Sequence, residues 1–169
     1  MLDTKRLQDV GPMAGHSPQR ERPLGAYGAL IGLFGVLCGA FAAWFRRSGR
    51  TLPEQVPAGD LALVTVATHK LSRTLSKDRV TSTVRAPFTR FEDDAGPGEV
   101  QEVARGRGLR RAVGELLICP YCLGLWIAAL LTAGLLVAPR PTRWGASVFV
   151  ALTGSDLLQI AYAKAEAAL

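Results

Sequence analysis

Apolar and polar positions divide the chain into long uncharged stretches separated by charged segments. The first stretch, residues 25–45, contains 21 residues without a charge, which span about 30 Å as an α-helix. Residues 112–138 and 144–163 are also long and largely apolar, and the short PRPTR segment between them predicts an antiparallel helical hairpin. The pattern is typical of an all-α, polytopic membrane protein in which these stretches are transmembrane helices.

A shorter apolar stretch covers residues 61–76, after a linker at residues 46–59 and a capping residue at Asp60. Lys70 and Arg73 are tolerated there only if their side chains reach the membrane interface. A polar stripe with a spacing of four residues runs along the helix: Thr65, His69 and Arg73. We predict that this helix also crosses the membrane, which gives four spans. The alternative is a helix lying on the membrane surface, which leaves three.

Three polar segments accompany the helices. Residues 1–24 have mixed charges and no apolar period, so we predict a disordered tail. Residues 77–111 hold eight Lys or Arg, six Asp or Glu, and several glycines. These glycines interrupt regular structure and predict a polar loop without a packed core of its own. Residues 164–169 form a short C-terminal tail.

Charge indicates how the chain is oriented. The protein is 49% hydrophobic and carries a formal net charge of +6. With four spans, both termini and the 77–111 loop share one side and hold 13 Lys or Arg, against five on the other side. The positive-inside tendency places the first side in the cytoplasm. We therefore expect a multi-pass protein of the inner (cytoplasmic) membrane whose main partner is the lipid bilayer, and no nucleic-acid partner is needed to explain its basic residues.

The first helix carries a regular stripe of small residues. Glycines recur on one face at steps of four, three and four residues: Gly28, Gly32, Gly35 and Gly39. Small residues let membrane helices approach closely, so we predict a packing face for another helix of this chain, a membrane-protein partner or a second copy. Arg46 and Arg47 follow without a cleavage site, so we expect a membrane anchor rather than a signal peptide.

The tetrapeptide CPYC at residues 119–122 has the spacing of a thiol–disulfide motif, with Cys119 as nucleophile and Cys122 as resolving thiol. It resembles the glutaredoxin active-site tetrapeptide, although the strands and helices of that soluble family are missing around it. On a helix covering residues 112–138, the two cysteines lie on neighbouring turns, so a disulfide requires favourable local geometry. We expect free thiols facing a reducing side, and packing against a neighbouring helix is the simplest account of the pair.

A metal site is another interpretation of the same cysteines. Zinc takes two thiolates and two further ligands. In the four-span arrangement, residues of suitable chemistry fall at a comparable depth in the membrane: Cys119, Cys122, His69 and Asp156. No other cofactor is expected.

Asp156 lies inside the last apolar stretch, where a carboxylate is energetically costly and needs a partner or a cavity. Arg73 or His69 would be suitable partners, and Gln159 lies one turn further along the helix. We predict that Asp156, Gln159 and Arg73 are buried polar groups. They either hold the helices together or handle an ion or a substrate.

Three blocks of sequence carry a family resemblance: LSRTLSKDRVTSTVRAPFTRFE, GLRRAVGELLICPYCLGLWIAALL and LTGSDLLQIAYA. In this order they resemble the bacterial membrane proteins known as domain of unknown function 1360, over residues 60–163. The resemblance implies a small integral membrane protein, with some relatives labelled sporulation proteins. It implies no activity, ligand or catalytic residue.

Residues 1–169 contain no nucleotide-binding loop, catalytic triad or paired carboxylates. The first hypothesis is therefore a non-enzymatic scaffold or accessory subunit, whose basic loop contacts anionic lipid or a partner protein. The alternative is a membrane thiol–disulfide oxidoreductase that uses Cys119 and Cys122. A third hypothesis is a small metal-binding or transport subunit.

Overall fold

A computed structural model describes residues 22–168. The order of helices and strands is α1 (Leu24–Arg47), α2 (Ala58–Lys77), α3 (Ser82–Arg85), β1 (Thr89–Gly96), β2 (Glu99–Ala104), α4 (Gly108–Ile118), α5 (Pro120–Val137) and α6 (Pro139–Glu166). The fold is mostly helical, as predicted, but the two antiparallel strands correct the all-α prediction. Nearly all of the predicted N-terminal tail lies outside the described residues.

Three helices within residues 22–168 are long and apolar enough to span a membrane: α1, α5 and α6. The most apolar 18-residue segments of these helices have mean hydropathies of 2.0, 1.9 and 1.3. This indicates a membrane protein. Helix α2 is long enough, at 20 residues, but its composition excludes it from this group because it carries four charged residues: Asp60, Lys70, Arg73 and Lys77.

Polar contacts at both ends of the helices show how they run. Tyr27, near the start of α1, donates a hydrogen bond to Glu115, just before α5 begins. Arg50, just after α1, donates to the carbonyl of Val137 at the end of α5, at 3.2 Å. The two helices are therefore parallel. Asp60 in α2 pairs with Arg143 near the start of α6, so α2 and α6 are also parallel and run opposite to α1 and α5.

The predicted continuous helix over residues 112–138 is interrupted at Cys119. Cys119 has extended φ and ψ angles of −104° and 102°, and it separates α4 from α5. The cause is Pro120, which disfavours helical geometry in the residue before it and lacks the N–H that a continuing helix would use. Proline is favoured at the first position of a helix, so α5 begins there.

The 77–111 segment contains a β-hairpin with a buried ion pair, which corrects the prediction of a loop without a core. Arg85 is fully buried, and its Nε donates to Oε2 of Glu102 at 2.9 Å. Arg85 also donates to the carbonyl of Leu75 at 2.8 Å, which connects the hairpin to α2. Thr89 donates to the same carboxylate at 2.8 Å. Oε1 of Glu102 accepts from a second Arg85 nitrogen at 3.1 Å, so both carboxylate oxygens have donors, as a buried carboxylate requires.

These contacts change the ionisation of Glu102. Burial raises its pKa, but hydrogen bonds from Arg85, Ser82 and Thr89, with the charge of Arg85, outweigh burial and hold the pKa below its ordinary range. The carboxylate therefore stays charged against the guanidinium.

The last two helices are joined more tightly than predicted. Helix α6 begins at Pro139, not near residue 144, so Ala138 alone separates it from α5. At Gly134 of α5, an added Cβ would lie 2.7 Å from Oγ1 of Thr142. Glycine is required there because the two helices approach so closely.

Candidate redox site at the start of α5

Cys119 and Cys122 form a disulfide bond, with their Cα atoms 5.3 Å apart. This corrects the expectation of free thiols at these positions. The break at Cys119 explains it: one cysteine is extended and the other lies in the first turn of α5, so the bond does not have to join successive turns of one helix. Cys38 is the free cysteine of the described chain.

Helix α5 presents its N-terminus to Cys119. Cys119 is the N-cap residue, and the backbone N–H of Cys122 donates to its Sγ at 3.2 Å. The first backbone N–H groups of a helix lack partners within the helix and carry a partial positive charge. In the reduced state this arrangement stabilises a thiolate on Cys119 more than the thiol, which makes a cysteine reactive.

The disulfide is accessible from outside the protein. Tyr121, between the two cysteines, is 92% exposed. Cys122 is exposed and Cys119 is half-buried. A thiol on another molecule can therefore approach the pair from the Cys122 side, which a disulfide enclosed in a core would not allow.

An apolar cavity of about 410 Å³ adjoins Cys122. Helices α1, α4 and α5 line it, with Leu30 and Phe34 on one side and Leu125 and Trp126 on the other. The rings of Phe34 and Trp126 meet edge to face, with centroids 5.1 Å apart. We call this cavity the α1/α5 groove.

A chain of polar groups crosses one wall of the α1/α5 groove. Tyr27 and Glu115 both line it, and the tyrosine hydroxyl donates to the carboxylate. The other carboxylate oxygen of Glu115 accepts a hydrogen bond from Nε of Arg111 at 2.9 Å. A carboxylate thus lines the same groove as Cys122, in surroundings that are otherwise largely apolar.

Comparison with known proteins identifies the family. The sequence profile of a family described as "Protein of unknown function (DUF1360)" matches residues 63–162. The chain belongs to this family. The resemblance carried by the three sequence blocks is therefore confirmed.

A curated relative covers a similar region. The chain is similar to "Sporulation protein YjcA" of Bacillus subtilis (strain 168), with 34% identity over 87 residues, which cover 50% of this chain and 74% of YjcA. No solved structure matches the chain. The DUF1360 region includes the disulfide, the hairpin and the α5 side of the groove, whereas α1 precedes it.

Within the DUF1360 region, Asp156 contacts a different partner from the two predicted. Lys70 Nζ lies 2.6 Å from Oδ2 of Asp156. Arg73 instead makes two hydrogen bonds of 2.8 Å to Glu99 of the hairpin. On the surface of the chain itself, Arg73 and Gln159 are exposed and Asp156 is half-buried; their burial within a membrane stays a prediction. Lys70 was missed because a lysine in an apolar stretch was expected to extend its side chain to the membrane interface and not to pair with another helix.

The pairs Lys70–Asp156 and Arg73–Glu99 form a charged cluster, and Asp78, just after α2, lies near it. Burial raises its pKa, the nearby carboxylates of Glu99 and Asp156 raise it further, and Lys70 and Thr74 oppose the change. The cluster therefore joins α2, α6 and the hairpin at one end of the helices.

The four residues of the predicted zinc site do not form one. Among residues 22–168, no group of three or more His, Cys, Asp and Glu has a geometry that could hold a metal ion. The cysteines are bonded to each other, Asp156 is paired with Lys70, and His69 is exposed.

The glycine stripe on α1 makes no close contact with the rest of residues 22–168. A Cβ added at Gly28, Gly32, Gly35 or Gly39 would meet no atom within 4 Å. Helix packing by small residues occurs elsewhere, at Gly114 and Gly134. A role for the stripe in contacting a partner or a second copy stays a prediction.

Sequence reasoning missed the polar wall of the groove and the buried Arg85–Glu102 pair. One signal was present for the first: Glu115 is a carboxylate within an apolar stretch, next to the two cysteines. Its partner Tyr27 is 88 residues away in the chain, a contact that periodicity does not reveal.

Proposed function

We propose that the protein is a membrane thiol–disulfide oxidoreductase whose active pair is Cys119 and Cys122. One observation carries the proposal: an accessible disulfide is placed at the N-terminus of α5, with the N–H of Cys122 directed at Sγ of Cys119. Thiol–disulfide enzymes need this combination of access and thiolate stabilisation.

The exchange proceeds in two steps. A thiolate of a dithiol partner attacks Sγ of Cys119, a mixed disulfide forms, and the sulfur of Cys122 leaves as a thiolate. The second thiol of the partner then loses its proton, attacks the mixed disulfide and releases Cys119 as a thiolate beside the α5 N-terminus. The partner is oxidised to a disulfide, and the protein is reduced to a dithiol. In the reverse direction, Cys119 is the nucleophile and Cys122 the resolving thiol.

The membrane arrangement that we propose has four spans, with α2 as the fourth. Helix α2 has 20 residues, a length of about 30 Å. It runs beside α6, and its charged side chains Asp60 and Lys70 pair with Arg143 and Asp156. Pairing lowers the cost of charge within a bilayer.

In this arrangement the hairpin, the disulfide and both termini face the cytoplasm. The excess of basic residues on that side supports the orientation. The membrane is then the inner (cytoplasmic) membrane.

The test uses the full chain in lipid vesicles. Reduced protein is mixed with a model peptide disulfide, and thiol release is followed over time. We expect exchange by the wild type and by Cys38→Ser, and none by Cys119→Ser. Equal rates for Cys119→Ser and the wild type would contradict the proposal.

A scaffold or accessory role is the second candidate, and the hairpin favours it. Arg85 connects the hairpin to α2 through Glu102 and the carbonyl of Leu75, while Asp93 and Asp94 near the turn are exposed, Asp94 in a pair with Arg79. This surface could bind a basic partner without chemistry. A cell phenotype that survives Cys119→Ser but is lost in Asp93→Asn/Asp94→Asn would favour the scaffold over the oxidoreductase.

A further inference from the structure

We propose that the α1/α5 groove binds the ring of a lipid-soluble quinone, and that the reduced Cys119–Cys122 pair passes two electrons to it. The inference rests on the proposed function, because it supplies the electron acceptor for the dithiol. Four features of the groove support this occupant.

The first feature is the position of Cys122. Cys122 lines the groove and is bonded to Cys119, which is half-buried at the start of α5. A ligand in the groove therefore lies next to Cys122 of the pair, while the exposed Tyr121 side remains free for a thiol partner. One disulfide can thus serve two substrates on two sides.

The second feature is the route of entry. Ile31 of α1 and Leu125 of α5 line the groove, and they are 72% and 57% exposed. Both residues belong to helices that are long and apolar enough to span a membrane. The groove therefore opens toward lipid, so an apolar carrier can enter it from the bilayer.

The third feature is size and shape. The volume of about 410 Å³ lies in the range of sites for small molecules, about 300–1,000 Å³. It accommodates a ring with the first part of an isoprenoid tail. Phe34 and Trp126 both line the groove and meet edge to face, and a further aromatic ring can pack against such a pair.

The fourth feature is the polar wall. A quinone has carbonyl oxygens that accept hydrogen bonds, and its reduction takes up two protons. In the empty groove the Tyr27 hydroxyl donates to Glu115, and Arg111 donates to the other carboxylate oxygen. We assign to Tyr27 the positioning of one quinone carbonyl oxygen, to which its hydroxyl turns and donates when the ring is bound. Glu115 then takes up a proton released by the thiols and passes it through Tyr27 to that oxygen.

The reaction balances without another reagent. Two S–H bonds break, the Cys119–Cys122 bond forms, and two electrons and two protons pass to the quinone, which becomes a hydroquinone. The next dithiol partner reduces the disulfide again. The net reaction oxidises a dithiol and reduces a quinone.

Binding is tested first on the oxidised protein, where no electron transfer occurs. The variant Trp44→Phe/Trp144→Phe leaves Trp126 as the tryptophan of the chain. The probe is a short-tailed benzoquinone with a fully substituted ring, so that thiols do not add to it. We expect saturable quenching of Trp126 fluorescence, weakened about three- to tenfold by Phe34→Ala and unchanged by the control Phe41→Ala, whose ring lies near Trp44. Linear, unsaturable quenching would overturn the inference.

Electron transfer is tested on the reduced protein in vesicles without oxygen. We expect hydroquinone absorbance to rise as thiols disappear, with two thiols lost per quinone. Glu115→Gln should slow this step and change its pH profile, while the control Phe41→Ala, outside the groove, should leave the rate and the pH profile at their wild-type values. Equal hydroquinone rates for Glu115→Gln and the wild type at every pH would overturn the role of Glu115.

The two assays separate the two proposals. Disulfide exchange without saturable quinone binding or reduction would overturn the quinone site and leave the oxidoreductase in place. Saturable binding without either reaction would overturn both redox proposals.

Discussion

The buried Arg85–Glu102 pair and the Cys119–Cys122 pair lie at the same end of the helices, yet they differ in access. Arg85 is 0% exposed, and it donates to Glu102, Thr81, Ser82 and two backbone carbonyls. The cysteine pair adjoins a groove and the 92% exposed Tyr121. One pair has its bonding capacity filled by the protein, and the other leaves reactive atoms accessible.

The difference in access suggests that the Arg85–Glu102 pair stabilises the fold, whereas the cysteine pair takes part in chemistry. A satisfied, buried network holds one arrangement and offers nothing to a substrate. An accessible disulfide at a helix N-terminus contributes little to packing, but another molecule can reach it. The following changes test whether the two pairs have these separate roles.

The largest expected effect follows from Arg85→Met. It leaves the Glu102 carboxylate buried without its charged partner, which costs about 3–5 kcal/mol. Thermal unfolding in detergent should show this loss. The matched control Arg79→Met breaks an exposed pair with Asp94, whose side chains are 60% and 63% exposed, so we expect a change of about 0–1 kcal/mol. Similar losses for both variants would remove the distinction between the pairs.

A smaller loss of stability is expected from Gly134→Ala. The added methyl group would lie 2.7 Å from Oγ1 of Thr142, and such overpacking costs about 1–3 kcal/mol. Gly28→Ala is the control, because a Cβ there meets nothing within 4 Å. Thermal unfolding in the same detergent measures the loss of stability in both variants. If Gly28→Ala is the more destabilising variant, the close approach of α5 and α6 is wrong.

Pro120→Ala should affect exchange more than stability. Without proline, Cys119 is free to become helical, and the α5 N-terminus no longer caps its sulfur. We expect exchange with the peptide disulfide to slow about tenfold, which corresponds to about 1.4 kcal/mol. An unchanged rate would show that the helix break is not needed for reactivity.

The pH dependence of stability is the smallest expected effect. Because the pKa of Glu102 is lower in the folded state than its ordinary value of 4.5, its contribution is present above that value and is lost as the pH falls through the folded-state pKa. The raised pKa of Asp78 acts in the opposite direction, since protonation relieves its burial. Unfolding measured from pH 7 to pH 3 should show weaker acid destabilisation in Glu102→Gln than in the wild type. Parallel curves would contradict the assignment.

The long helices could be predicted from local sequence because apolar length alone determines them. Residues 25–45 correspond closely to Leu24–Arg47 in the structure. Pro120 was a local sign of the helix break at Cys119. It was not used because the surrounding apolar stretch predicted one continuous helix. The partners of Asp156 and Glu115 were not readable, because they depend on contacts 86 and 88 residues apart in the chain.

The hairpin shows the same limit in a different way. Its glycines predicted interruption, and Gly96 and Gly98 do have positive φ angles of 150° and 75° at the turn. The two strands on either side of these glycines are stabilised by Arg85. The burial of Arg85 depends on Glu102, which pairs with its charge. A charged residue in a charged segment gives no local sign that it will be buried. The core of this segment therefore emerged only with the structure.

The most direct test of the central claim is the alkylation rate of each cysteine in native membranes, after mild reduction, from pH 5 to pH 9. We predict that Cys119 reacts at pH 7 about tenfold faster than Cys122, and that reoxidation protects both. Slow, equal alkylation of Cys38, Cys119 and Cys122 that reoxidation does not change would contradict the account.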